Sequence, residues 1–138
     1  DLRTSRGLGD VYKRQSLELD DLVKACKSGA EEKFVFVEGA GGFYSPIANN
    51  SLNSDLAAEL GMPIIIVVKD ELGAIGQALL TINAAKSQKL KIVCVVLNEM
   101  SPNQLANAEA LRAYTKTPII EYSNSRVEAF CSEIESLV

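Results

Sequence analysis

Four short runs of aliphatic, β-branched and aromatic residues recur along the chain with helical patterns between them. That alternation limits the possible folds more than any other feature. The runs are FVFV at 34–37, IIIVV at 64–68, IVCVVL at 92–97 and PIIEY at 118–122. Each is nearly continuous in apolar residues rather than alternating, which is how a strand covered by helices on both faces reads. Between and around them lie helical patterns at 17–28, 53–61 (NSDLAAELG), 73–88 (GAIGQALLTINAAKSQ), 102–116 (PNQLANAEALRAYTK) and 126–137. Asn53 or Ser54 suits an N-cap with Asp55 in the first turn and Gly61 as a stop, and Pro102 suits a first helical turn, where its missing N–H costs nothing. The resulting order, αβαβαβαβα, predicts an α/β fold, a parallel sheet with helices on both faces.

A chain of 138 residues has room for one domain with a real core. Residues 1–15, DLRTSRGLGDVYKRQ, carry six charges and no apolar periodicity. They are expected to be a non-native leader, with 16–138 forming part of a single domain. The whole chain has 14 Lys and Arg against 18 Asp and Glu; without four bases and two acids of the leader, ten face sixteen, a net charge near −6. That balance argues against nucleic acid or an anionic membrane as the main partner. Histidine is absent, which excludes Ser-His-Asp and Cys-His catalysis and most zinc sites within these residues. Cys26, Cys94 and Cys131 are scattered, as in a reduced cytoplasmic protein. The longest apolar run, MPIIIVV at 62–68, is far short of the ~20 residues of a membrane span.

In parallel sheets ligands sit beyond the carboxyl ends of the strands, and three of the four expected ends are polar: Glu38, Lys69-Asp70-Glu71 and Asn98-Glu99. Strand ends are also where any chain surfaces, so polarity alone decides nothing. The first end runs into EGAGG, where Gly39, Gly41 and Gly42 leave backbone N–H groups unshielded for a phosphate, or simply mark a tight turn. A carboxylate beside a bound phosphate makes chemical sense if it holds Mg²⁺, whose preference for hard oxygen a Glu satisfies. Without a metal it would repel the ligand.

Taken in order, VEGAGGFYSPI, NSDLAAELGMPIIIVV, ELGAIGQALLT and VVLNEM resemble the second half of dethiobiotin synthetases, from about residue 31 to 100 and more loosely to the C-terminus. These enzymes have a P-loop NTPase-type three-layer fold. The resemblance implies ring-closing carboxylation of 7,8-diaminononanoate with CO₂ or bicarbonate and ATP, through a carbamate and a carbamic-phosphate anhydride, in a homodimer. It also implies roles. Glu38 matches the magnesium-binding glutamate; Gly39, Ala40 and Gly41 match backbone lying against the nucleotide phosphates. Asn98 matches the residue that reads adenine, with Glu99 following it in the pocket. Gly42 and the segment Leu72, Gly73, Ala74 and Ile75 match substrate contacts, the latter a helix start that accepts the diaminononanoate carboxylate across a dimer interface. Read without the resemblance, Asn98 is equally a strand-end turn residue and the LGAI segment an ordinary loop into a helix.

Departures from the pattern matter as well. The family's G-x-x-x-x-G-K-S/T loop, with its catalytic lysine, and its metal-binding aspartate do not occur in these residues, so no catalytic residue is expected here. Where the family carries a proline-containing segment near adenine, this chain has EYSNSR at 121–126, leaving the role of 123–126 open. Two alternatives stand beside this reading: a non-catalytic interaction domain of the same fold, and a cobyrinate-type amidotransferase synthetase.

Overall fold

The computed structural model describes residues 17–28 and 35–137. Backbone contacts divide the chain into two compact units, residues 1–60 and 61–138. The leader expected at 1–15 and Phe34 lie outside the described residues.

In the first unit, α1 (Leu19–Ser28) opens with Asp20 and Asp21 and closes with Lys27, charges that complement the helix dipole. A hairpin of β1 (Pro46–Ala48) and β2 (Ser51–Leu52) follows, antiparallel, with Pro46 opposite Leu52. Its turn uses Asn50 at φ 50°, a left-handed conformation that asparagine tolerates. Helix α2 (Asn53–Leu60) comes next, with Gly61 at φ 62° just beyond it. The cap at its start differs from expectation. Asn53 is already helical, and Asp55 reaches back so that its Oδ2 accepts the Leu52 N–H at 2.7 Å, the acid half of a capping box.

Of the apolar run at 34–37, the described residues 35–37 belong to neither sheet, and Phe36 and Val37 are exposed. A strand is defined by its ladder, and residues 35–37 belong to neither ladder among the described residues. Glu38 therefore ends an irregular segment rather than a strand.

The second unit is the parallel sheet. Its strands are β3 (Ile64–Lys69), β4 (Ile92–Asn98) and β5 (Ile119–Tyr122), in the order β3-β4-β5 with β4 central. Lys69 lies opposite Asn98, and Asn98 opposite Tyr122, so all three carboxyl ends finish level. Helix α3 (Ala74–Ser87) follows β3, α4 (Asn107–Arg112) follows β4, and α5 (Val127–Glu135) follows β5. Both faces of the sheet are used. On one, Ile66, Val68, Val95, Leu97 and Ile119 pack with Ala74, Ala78 and Ile82 of α3 and Ala108 and Leu111 of α4. On the other, Cys94, Val96 and Ile120 meet Phe130 and Ile134 of α5, with the Tyr122 and Phe130 rings edge to face at 5.0 Å. Period-two alternation along β4 thus feeds two cores at once, which is why its sequence is continuously apolar. Burying Ile82, Leu97 or Leu111, each almost fully enclosed, stabilises by about 1.5–3 kcal/mol. Burial also pushes the Cys94 thiol up, which keeps it protonated at neutral pH.

Helix α3 fits its predicted span within a residue at each end. It closes in a Schellman-type turn, Leu90 N–H to Ala85 O at 3.1 Å and Lys89 N–H to Lys86 O at 2.9 Å, with Lys89 taking the left-handed position usually held by glycine. By contrast, α4 is much shorter than the predicted 102–116. Asn103 accounts for the late start. Its N–H donates to Glu99 Oε1 at 3.1 Å, while its Oδ1 accepts the Leu105 N–H at 2.8 Å. Those amides are taken by side chains that compete with helical bonding. No helix among the described residues is long and apolar enough to cross a membrane.

Candidate functional site

In the first unit, the residues after Glu38 fold into a tight turn held from two sides. Ser45 N–H donates to Gly42 O at 2.9 Å, and Gly42 N–H donates to Ser45 Oγ at 2.8 Å. The Asn53 side chain then closes the turn, its Nδ2 donating to Ala40 O at 2.8 Å and Gly42 O at 2.9 Å. Two further backbone bonds, Asn53 N–H to Ser45 O and Ser54 N–H to Phe43 O, fix the turn against the start of α2.

This arrangement gives two of the glycines an internal reason. A Cβ at Gly39 would lie 2.6 Å from Asn53 Oδ1, and one at Gly41, where φ is 81°, would lie 2.6 Å from Ser45 Oγ. Gly42 is different, since its nearest neighbour to an added Cβ is 3.8 Å away. Both backbone polar groups of Gly42 are bonded within the turn, so a ligand would meet Gly42 only through its Cα. Glu38, Gly39, Ala40 and Gly41 are exposed on the same stretch, with the Glu38 carboxylate at its head. Mg²⁺ is commonly held by one or two carboxylates together with phosphate oxygens and water. A single exposed carboxylate beside an amide-rich turn fits that mode.

In the second unit, the level strand ends bring Asp70, Asn98, Glu99 and Ser123 together. Asp70 N–H donates to Asn98 O, and Glu99 N–H to Tyr122 O, both at 2.8 Å. A shallow pocket of about 120 Å³ opens there, lined among others by Asp70, Leu97, Glu99, Asn103, Ser123 and Arg126. Asn98 lies in sequence between two of the lining residues, and its Oδ1 is buried with no hydrogen-bond partner among the described residues. A buried acceptor left unpaired costs about 1–3 kcal/mol, so the position favours a ligand or water that can donate.

Sequence reasoning missed what surrounds this pocket. Asn107, almost buried on α4, donates from Nδ2 to Asp70 Oδ1 at 2.7 Å and to Glu71 O at 3.2 Å. Asn103 Nδ2 adds a bond to Asp70 O at 2.9 Å. Two asparagines therefore tie the β3–α3 turn to the segment after β4. In the segment 123–126, Arg126 N–H closes a turn onto Ser123 O at 2.9 Å, and its guanidinium lies between Glu121 (3.7 Å) and Glu133 (3.5 Å). Among the described lining residues it is the positive charge on a wall that also carries Asp70, Glu99 and Glu121.

The predicted helix start divides in two. Leu72 is 89 % exposed and Gly73 sits at φ 95° with no side-chain cap on the helix. Ala74 is fully buried in the core, and its N–H already donates to Glu71 O at 3.1 Å. Ile75 is half-buried and packs against the same core. Glu71 is itself paired with Lys69 at 2.7 Å, which offsets part of the negative charge beside the helix start.

Sheet, pocket and glycine turn are parts expected of a nucleotide-using α/β protein, and comparison with known proteins defines the group. The family model described as AAA domain matches residues 9–121, and the chain belongs to that family, which is of P-loop NTPase type. Among curated proteins it is similar to the ATP-dependent dethiobiotin synthetase BioD of Vesicomyosocius okutanii, 48% identical over 88% of this chain and 55% of that protein. The enzyme of the same name from Ruthia magnifica is 47% identical over 88% of this chain and 56% of its own length. That of Aromatoleum aromaticum is 39% identical over 66% of this chain and 42% of its own length. The chain spans about half the length of these relatives.

Proposed function

We propose that the protein to which these residues belong is an ATP- and Mg²⁺-dependent cyclo-ligase that closes the ureido ring of dethiobiotin from 7,8-diaminononanoate and CO₂ or bicarbonate. The observation that carries this reading is Asn98. The side chain ends the central strand in a family of nucleotide-using proteins, and its buried Oδ1 has no partner among the described residues. An asparagine amide suits adenine, since its oxygen accepts from the exocyclic amine while its nitrogen donates to a ring acceptor.

The division of labour follows from the residues. Glu38 would hold the metal, and the metal would draw off charge developing on the transferred phosphoryl group. The amides of Gly39, Ala40 and Gly41 would face phosphate oxygens. Glu99 and the pocket wall would enclose the base, while Leu72 and Gly73 would offer backbone donors to the substrate carboxylate. Ala74 and Ile75 would support that turn from the core side, and Gly42 would pack against substrate through its Cα. A second copy of the chain completing the substrate site is part of the same reading, as the acids Asp70 and Glu71 discourage an anion approaching along their own turn. The phosphate loop would come from sequence outside these residues, so the full gene product is the species to assay.

Titration calorimetry of the full gene product tests the carrying observation. ATP should bind at least about tenfold more tightly than an analogue whose exocyclic amine carries two methyl groups, the scale set by one buried acceptor left unpaired. Equal affinity for the two would remove Asn98 as the adenine reader.

A further inference from the structure

Asn53 is in the first turn of α2, where an asparagine ordinarily serves the helix. Its side chain instead turns away from the helix and binds the glycine turn 11 and 13 residues earlier in sequence. Three observations make this a built device rather than an incidental contact. One amide nitrogen holds two carbonyls, those of Ala40 and Gly42, at 2.8 and 2.9 Å. The missing side chain at Gly39 leaves the space that the Asn53 amide occupies, as the 2.6 Å approach of an added Cβ shows. Ser45 secures the opposite side of the turn through Gly42 N–H, and its own carbonyl accepts the Asn53 N–H at 3.0 Å.

We propose that Asn53 is a positioning residue for phosphate binding, holding the Ala40 and Gly42 carbonyls inward so that the glycine turn presents amides rather than carbonyl oxygens to an anion. This rests on the nucleotide reading given above. The electrostatic reason is direct. A carbonyl oxygen facing a phosphate repels it, and a turn free to flip one peptide plane would expose such an oxygen. Tying two carbonyls to one donor prevents the flip. Among the described residues the Asn53 Oδ1 has no hydrogen-bond partner, so the amide's hold on the turn runs through its nitrogen.

Asn53→Asp in the full gene product separates this role from a helical one. The substitution keeps size and shape and adds an acid to the first turn of α2, which by itself favours the helix. It also removes the donor and sets a negative charge against two carbonyls. The expected result is an ATP Kd raised roughly tenfold, the scale of two lost hydrogen bonds, with adenosine affinity unchanged. Asn53→Ser, too short to reach both carbonyls, should show the same split and serves if the aspartate variant does not fold. An unchanged ratio of ATP to adenosine affinity in a folded variant overturns the positioning role and leaves the nucleotide reading standing. Failure of the unsubstituted protein to bind ATP at all overturns both.

Discussion

Glu38→Gln in the full gene product should reduce turnover on the order of a hundredfold, the scale of losing one preorganised electrostatic contact to the reacting centre. The amide keeps the shape of the side chain and removes its charge. Because Glu38 is exposed and begins no strand, the fold has little stake in that charge, and stability should stay within about 0.5 kcal/mol. The Mg²⁺ concentration for half-maximal activity should rise, since a neutral amide is a poor ligand for a hard cation. A variant with wild-type turnover and an unaltered Mg²⁺ curve would show that the metal is held elsewhere.

Ala74→Asp should have the largest effect on folding. The family resemblance implies that residue 74 starts a substrate-binding helix, where a carboxylate would mimic the substrate's own. In the structure its side chain is wholly enclosed beside Ile66, Val68, Ala78 and Leu97. An uncompensated buried charge costs about 3–5 kcal/mol, a large share of a typical domain's total stability of about 5–15. Urea denaturation should show a collapse of the midpoint or no cooperative transition. A wild-type midpoint with a raised diaminononanoate KM would instead place residue 74 at the substrate. The exposed neighbour Leu72 is the proper surface probe, and Leu72→Asp should leave the midpoint near wild type.

What could be seen in the sequence follows the range of the forces involved. Strands β3, β4 and β5 were legible to within a residue because burial on both faces demands an unbroken apolar run, and α3 was legible from its small residues at helical spacing. The run at 34–37 carries the same local signal, yet a strand also needs a neighbour, and that is a property of the whole sheet. At α4 the helical pattern was real, but Asn103 diverts the amides that would have begun the helix five residues earlier. Asn53 or Ser54 reads as a cap because composition near a helix start cannot distinguish a local bond from one to a turn more than ten residues back. Ser45 offers a weaker signal: serine hydroxyls can bond neighbouring backbone, and here Oγ accepts the Gly42 N–H. Nothing local marked Asn107, whose partners at 70 and 71 meet it only once the parallel sheet has formed.

The central claim, ring closure on a diaminononanoate at the expense of ATP, is tested most directly by supplying the full gene product with ATP, Mg²⁺, 7,8-diaminononanoate and isotopically labelled bicarbonate. Products are then followed by mass spectrometry. The account predicts dethiobiotin carrying one labelled carbon, formed in step with ADP and phosphate and absent when any one component is withheld. ATP consumption without labelled dethiobiotin, or no reaction from a folded full-length protein, would contradict it.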